Sequence, residues 1–162
     1  MPRLRRQLAV AVFAVVCASC AKPPATAAIQ PEPATKKNKP SETPPEVKKR
    51  GKVSSISMED FFALHSSGQA LVFDTRPAFI YHLGHIPGAV HLPRTGGDAA
   101  IQQQETAIKS ALDAGKRIVA YCSGPSCPDA HTVAVHISGF GYPVSVFSGG
   151  WNAWQAADLP TE

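Results

Sequence analysis

The chain is short of four things, and each shortage narrows what it can be. Its N-terminal apolar run, residues 8–16, holds nine residues without a charge. That falls well below the roughly 20 residues a bilayer-spanning helix needs. Large aliphatic side chains are nearly missing from residues 21–52, where only Ile29 and Val47 interrupt a stretch rich in Pro, Ala, Thr and Lys. Such a composition cannot bury enough surface to offset the entropy of ordering, so a disordered linker is expected there instead of a core. Basic residues are scarce beyond residue 52. Residues 53–162 hold five Lys and Arg against nine Asp and Glu, a net of −4, whereas residues 1–52 hold eleven against three, a net of +8. The excess positive charge therefore belongs to the N-terminal segment. It lies in no aromatic-interleaved patch, which argues against a nucleic-acid partner. Cysteine is also rare: of four, Cys17 and Cys20 fall in the first 20 residues, leaving Cys122 and Cys127 as the only thiols of the remainder.

What is present begins with a leader. Arg3, Arg5 and Arg6 precede the apolar run, and "CASC" follows it. This is the layout of a secretory signal peptide. "CASC" resembles a bacterial lipobox, with Cys17 standing where Leu is usual. The resemblance implies removal of residues 1–19, lipidation of Cys20, and export to the bacterial cell envelope as a membrane-anchored lipoprotein facing the periplasm. A plain signal peptide cut near Ala18 or Ala21 remains the alternative. A basic segment beside a lipid anchor favours an anionic membrane surface.

From residue 53 onward short apolar runs alternate with helical patterns. Ser57 followed by Asp60 has the layout of a helix start, and Gly68 ends that helix. "ALVFD", "AVHL", "RIVAY" and "PVSVF" read as strands. Residues 77–83 read as a short helix. Residues 98–114 read as a longer one, with Ile101, Ile108 and Leu112 on one face and Gly115 as the stop. Residues 129–140 place Val133, Ile137 and Phe140 on one stripe, and "GGWNAW" opens a last helix. The alternation predicts a mostly parallel α/β sheet covered on both faces.

Ligands of such sheets bind beyond the carboxyl ends of the strands. Cys122 stands at such an end. Ser123, Gly124, Pro125 and Ser126 follow it, then Cys127, and a helix start marked by Pro128 and Asp129. Backbone amides in a small-residue loop can form an anion-binding concavity, and a helix N-terminus adds a positive dipole end. Both favour a thiolate, the nucleophilic form of cysteine.

Three blocks now point the same way: "LVFDTRPAFIYHLGHIPGAVHLP" at 71–93, "VAYCSGPSCPDA" at 119–130, and "VFSGGWNAW" at 146–154. Together they resemble the rhodanese-like domain, over nearly all of residues 53–162. The resemblance implies a single domain with a five-stranded sheet. It also implies a sulfurtransferase in which Cys122 carries a persulfide, with a sulfur donor and a thiol acceptor as partners and no cofactor. Asp74 and Arg76 read as turn and ion-pair residues of the scaffold near the site. The loop departs from the family pattern in lacking a cation. A phosphatase on this fold needs an Arg at the loop end to hold phosphate, and Cys127 stands there.

Three readings of the two thiols stay open. Cys122 is a sulfur-transfer nucleophile and Cys127 its resolving thiol. Or Cys122 and Cys127 form a permanent disulfide in an inert binding module, with a thiol–disulfide redox protein as the further alternative. Or Cys122, Cys127, His131 and His136 hold zinc, at spacings unlike those of common fingers. The first is preferred, with no metal. His82, His85 and His91 lie close in sequence, but "GHIPGA" reads as a structural turn. Trp151 and Trp154 read as core.

Overall fold

The computed structural model describes residues 49–162. The expected signal peptide at 1–19, the lipidation candidate Cys20 and the expected linker up to residue 48 lie outside the described residues.

Five strands carry the sheet: β1 (Val53–Ser55), β2 (Ala70–Asp74), β3 (Val90–His91), β4 (Arg117–Tyr121) and β5 (Val144–Phe147). Their order is β1-β5-β4-β2-β3, and every pairing is parallel. The connecting helices are α1 (Met58–Ser66), α2 (Ala78–Tyr81), α3 (Gly97–Asp113), α4 (Asp129–Gly139) and α5 (Gly150–Ala156), with a 3-10 turn at Arg94–Gly96. The α/β architecture expected from alternation is the one found.

Successive strand residues face opposite sides, and the core divides accordingly. Phe73, Ile118, Ala120, Val144 and Val146 pack with Ile101 and Ile108 of α3 and Val133 and Ile137 of α4. Val72, Val119, Tyr121 and Phe147 pack with Phe61 of α1 and Trp154 of α5. Residues 118–122 are all buried, because a central strand covered on both faces has no wet side.

Local signals explain most boundaries. The Ser57 side chain accepts a hydrogen bond from the Asp60 amide at 3.1 Å, which satisfies one open donor of α1. Gly115, at φ +74°, stops α3 in the left-handed region. Three details differ from the sequence reading. β1 is a strand although its sequence, "VSS", has no apolar run. β3 is only two residues long. α2 is a single turn, not the full 77–83 stretch. α4 does begin at Asp129, with Pro128 at the N-cap, and the Asp129 carboxylate turns to Arg94.

A sulfur-bearing loop at the carboxyl end of the sheet

β4 ends at Tyr121, and Cys122 begins the loop at the carboxyl end of the sheet. Cys122 is buried, only 3% exposed, while Cys127 is half-buried. The two are joined in a disulfide with Cα atoms 6.1 Å apart. Inside the ring the Cys127 amide donates to the Gly124 carbonyl at 3.0 Å. Pro125 and Ser126 are exposed at its tip.

The first turn of α5 fixes this loop. The Trp151 amide donates to the Cys122 carbonyl and the Asn152 amide to the Ser123 carbonyl, both at 2.9 Å. Peptide planarity then turns the N–H groups of Ser123 and Gly124 away from α5. Gly150 makes the approach possible. Its φ is +60°, and a Cβ there would stand 2.3 Å from the Cys122 carbonyl oxygen.

A buried polar network braces the floor. Asp74 is fully buried and Arg76 is 1% exposed. The Arg76 Nη2 donates to Asp74 Oδ2 at 2.6 Å and to the Gly84 carbonyl at 2.7 Å. Its guanidinium lies 4.6 Å from the centre of the Trp151 ring. The Tyr121 hydroxyl donates to Asp74 Oδ2 at 2.5 Å and accepts from the Ile86 amide at 3.1 Å. Burial, and then the Asp74 charge, push the Tyr121 pKa well above its ordinary value. The Arg76 side chain is thus engaged within the fold.

Over the disulfide opens a cleft of about 380 Å³, lined by Cys122, Gly124, Cys127, His131, Phe147 and Ser148 among others. No Lys or Arg is among its lining residues.

The sequence profile of the rhodanese-like domain matches residues 57–157. The chain belongs to the rhodanese-like domain family. It is 32% identical over 112 residues to an HTH-type transcriptional regulator of Mycobacterium tuberculosis; the match takes in 67% of this chain and spans 44% of that relative's length. Among solved structures it is similar to a Bacillus halodurans protein, with 26% identity and a TM-score of 0.56 over 67% of this chain and 76% of that one. A Rhodopseudomonas palustris protein of unknown function, described as a possible tyrosine phosphatase, shares 27% identity at a TM-score of 0.52, over 68% of this chain and 85% of that one.

Within this rhodanese-like domain, the expected site residues do come together. Cys122, Ser123, Gly124, Pro125, Ser126 and Cys127 form one loop, and Asp74 and Arg76 pair beneath it. Of the two histidines of the zinc reading, His131 lines the cleft with the cysteines, but the close group of ligand atoms there is Cys122, Cys127 and Asp129. His136 Nδ1 pairs with Asp98 Oδ1 at 2.7 Å, and the cysteines are spent on each other. The group that sequence reasoning missed as part of the site is Asp129. One of its carboxylate oxygens lies within 4.8 Å of both sulfurs. Its placement directly after "CP" at the loop end was the available signal, but it reads equally well as a helix start.

Proposed function

We propose that this domain performs sulfurtransferase-type thiol chemistry, with Cys122 taking up a sulfane sulfur and Cys127 resolving the resulting persulfide. The observation that carries the reading is the Cys122–Cys127 disulfide beneath a cleft at the carboxyl end of the sheet. Sulfurs that are bonded in one state are within attacking reach of each other in the next.

In the reduced protein, the Cys122 thiolate attacks the outer sulfur of a donor persulfide, R–S–SH. The donor S–S bond breaks, R–S⁻ leaves and takes a proton, and Cys122 carries –S–SH. An acceptor thiolate then takes the outer sulfur, or the Cys127 thiolate attacks Cys122 Sγ. In the second case HS⁻ leaves and the disulfide forms. Two equivalents of an external thiol restore the dithiol and are themselves oxidised to a disulfide. The start of α4 offers the thiolate its positive end, opposed by the Asp129 carboxylate that lies within 4.8 Å of both sulfurs. The burial of Cys122 favours a second reading, in which the disulfide is permanent and the domain is a non-catalytic binding module.

We also propose, from the leader alone, that the protein is exported and lipidated at Cys20, and is held at the membrane by that anchor and its basic N-terminal segment.

Single variants separate the two readings. Cys122→Ser should abolish sulfur transfer, since a hydroxyl is far less ionised than a thiol at neutral pH. Cys127→Ser should still form the Cys122 persulfide and should prolong its life. Intact mass after donor treatment reads both outcomes. Full transfer activity in Cys122→Ser, or a disulfide that no thiol reduces without unfolding, sinks the catalytic reading in favour of the binding module.

A further inference from the structure

A charge stands beside the disulfide although it is not among the residues that line the cleft. Asp129 is the first residue of α4, and a carboxylate oxygen sits within 4.8 Å of both Cys122 Sγ and Cys127 Sγ. The side chain is 24% exposed and is held by Arg94 Nε at 2.8 Å, with Arg94 itself 56% exposed. Arg94 reaches it from the 3-10 turn after β3. The two guanidiniums that follow strands at this end of the sheet are therefore both engaged, Arg94 by Asp129 and Arg76 by Asp74. Lys116 and Arg117 lie at the opposite end of β4. A reagent bonded to either sulfur thus comes within a few ångströms of this carboxylate.

Resting on the sulfur-transfer reading above, we propose that Asp129, oriented by Arg94, is the specificity-determining residue of this site: it rejects dianionic sulfur donors and selects thiol-bound sulfur carrying at most one charge. Thiosulfate must bring two negative charges to within a few ångströms of the carboxylate, and a persulfide of an uncharged thiol brings one or none. The solvent-exposed Arg94 compensates only in part, because water screens it more than the half-buried carboxylate. For one charge meeting another at this separation, between surface and bulk dielectric, the discrimination is of order tenfold.

The test has an arm that needs no sulfur transfer. Reduced full-length protein is alkylated at pH 8 with neutral iodoacetamide and anionic iodoacetate in parallel, and the rate at Cys122 is read by peptide mass. The ratio of the two rates cancels thiolate content and leaves the charge effect. At low salt the ratio should exceed that of a cysteine peptide by about tenfold. It should collapse with added salt, fall to or below the peptide value in Asp129→Asn, and rise further in Arg94→Gln. The second arm compares kcat/KM for thiosulfate with that for the persulfide of 2-mercaptoethanol. Asp129→Asn should shift that preference toward thiosulfate by tenfold or more.

A wild-type ratio equal to the peptide's, a ratio that Asp129→Asn leaves unchanged, or a fall in Arg94→Gln overturns the proposal. If Asp129→Asn does not fold, the salt dependence of the wild type and the Arg94→Gln ratio decide it. If alkylation behaves as expected but no donor loads Cys122, the carboxylate filter stands and the sulfurtransferase reading falls. If neither reagent reaches either thiol in the folded reduced protein, both fall.

Discussion

Gly150 is the single residue on which the geometry of the loop depends most. Two constraints meet there. The backbone is in the left-handed region, and the space where a Cβ would go is occupied by the Cys122 carbonyl at 2.3 Å and the Gly124 nitrogen at 2.9 Å. Both neighbours are backbone, so neither can rotate away. Gly150→Ala should therefore lower stability by about 2–4 kcal/mol, through an unfavourable φ and a displaced loop. The loop cannot yield without moving Cys122. Displacing a reacting group by an ångström costs roughly 10²-fold in rate, so sulfur transfer should fall by about that factor even under conditions where the variant is folded. Urea denaturation gives the first number and single-turnover transfer the second. A variant of wild-type stability and rate would show that the α5 contact to the loop is dispensable.

At the scale of elements, β2 and β4 are joined twice, by their ladder and by side chains. Asp74 and Tyr121 are register partners, and the Tyr121 hydroxyl donates to the Asp74 carboxylate. This tie has a pH signature. Burial first, and the Asp74 charge second, raise the folded-state pKa of Tyr121 above that of the unfolded chain. Tyr81 and Tyr142 shift the same way, with burial the leading cause in both. A raised folded pKa means that the native state holds its proton more tightly. The contribution is present in full below the unfolded value of about 10 and is lost as pH rises through the folded value. Stability should thus decline from about pH 10 upward. Tyr121→Phe should cost about 1–3 kcal/mol at pH 8, where it leaves Asp74 and the Ile86 amide short of a partner. It should also flatten the alkaline slope. Urea titrations from pH 8 to 11 on both proteins test this, and parallel slopes would remove Tyr121 as the cause.

The same elements show what a sequence can disclose. β2, β4 and β5 are legible because strands buried on both faces are nearly continuous in apolar residues, with Asp74 and Ser145 as the buried polar exceptions. α3 and α4 are legible because each buries one stripe against the sheet. β1 is not, since an edge strand needs little apolar surface: Ser54 meets Ser145 of β5 through hydroxyls 3.0 Å apart. The loop cysteines are legible from their place after a strand. The hold of α5 on that loop is not, because Trp151 and Asn152 act through backbone amides, which carry no residue signature. Asp129 is the sharper case. A carboxylate at a helix start is ordinary, and only the fold places it beside two sulfurs and opposite Arg94.

At the scale of the whole molecule, charge is divided along the chain. Once residues 1–19 are removed, residues 20–52 would carry eight Lys and Arg against three Glu, a net of +5, and residues 53–162 a net of −4. Beside an anionic membrane the first segment is attracted and the rhodanese-like domain repelled, each within a screening length of about 8 Å at physiological salt. Charge alone would hold such a protein reversibly, and salt would release it. A lipid on Cys20 would not be released by salt, because acyl burial contributes about 0.8 kcal/mol per CH₂ and the basic segment supplies a second, additive attachment. The wild type is therefore expected to stay with the membrane fraction through a high-salt wash and to leave only with detergent. Cys20→Ala, if the signal peptide is still removed, should become extractable by salt or fully soluble. Fractionation of both proteins, with the N-terminus of each read by mass spectrometry, decides the matter. A processed Cys20→Ala protein that resists the same salt wash would rule out lipid at Cys20 as the anchor.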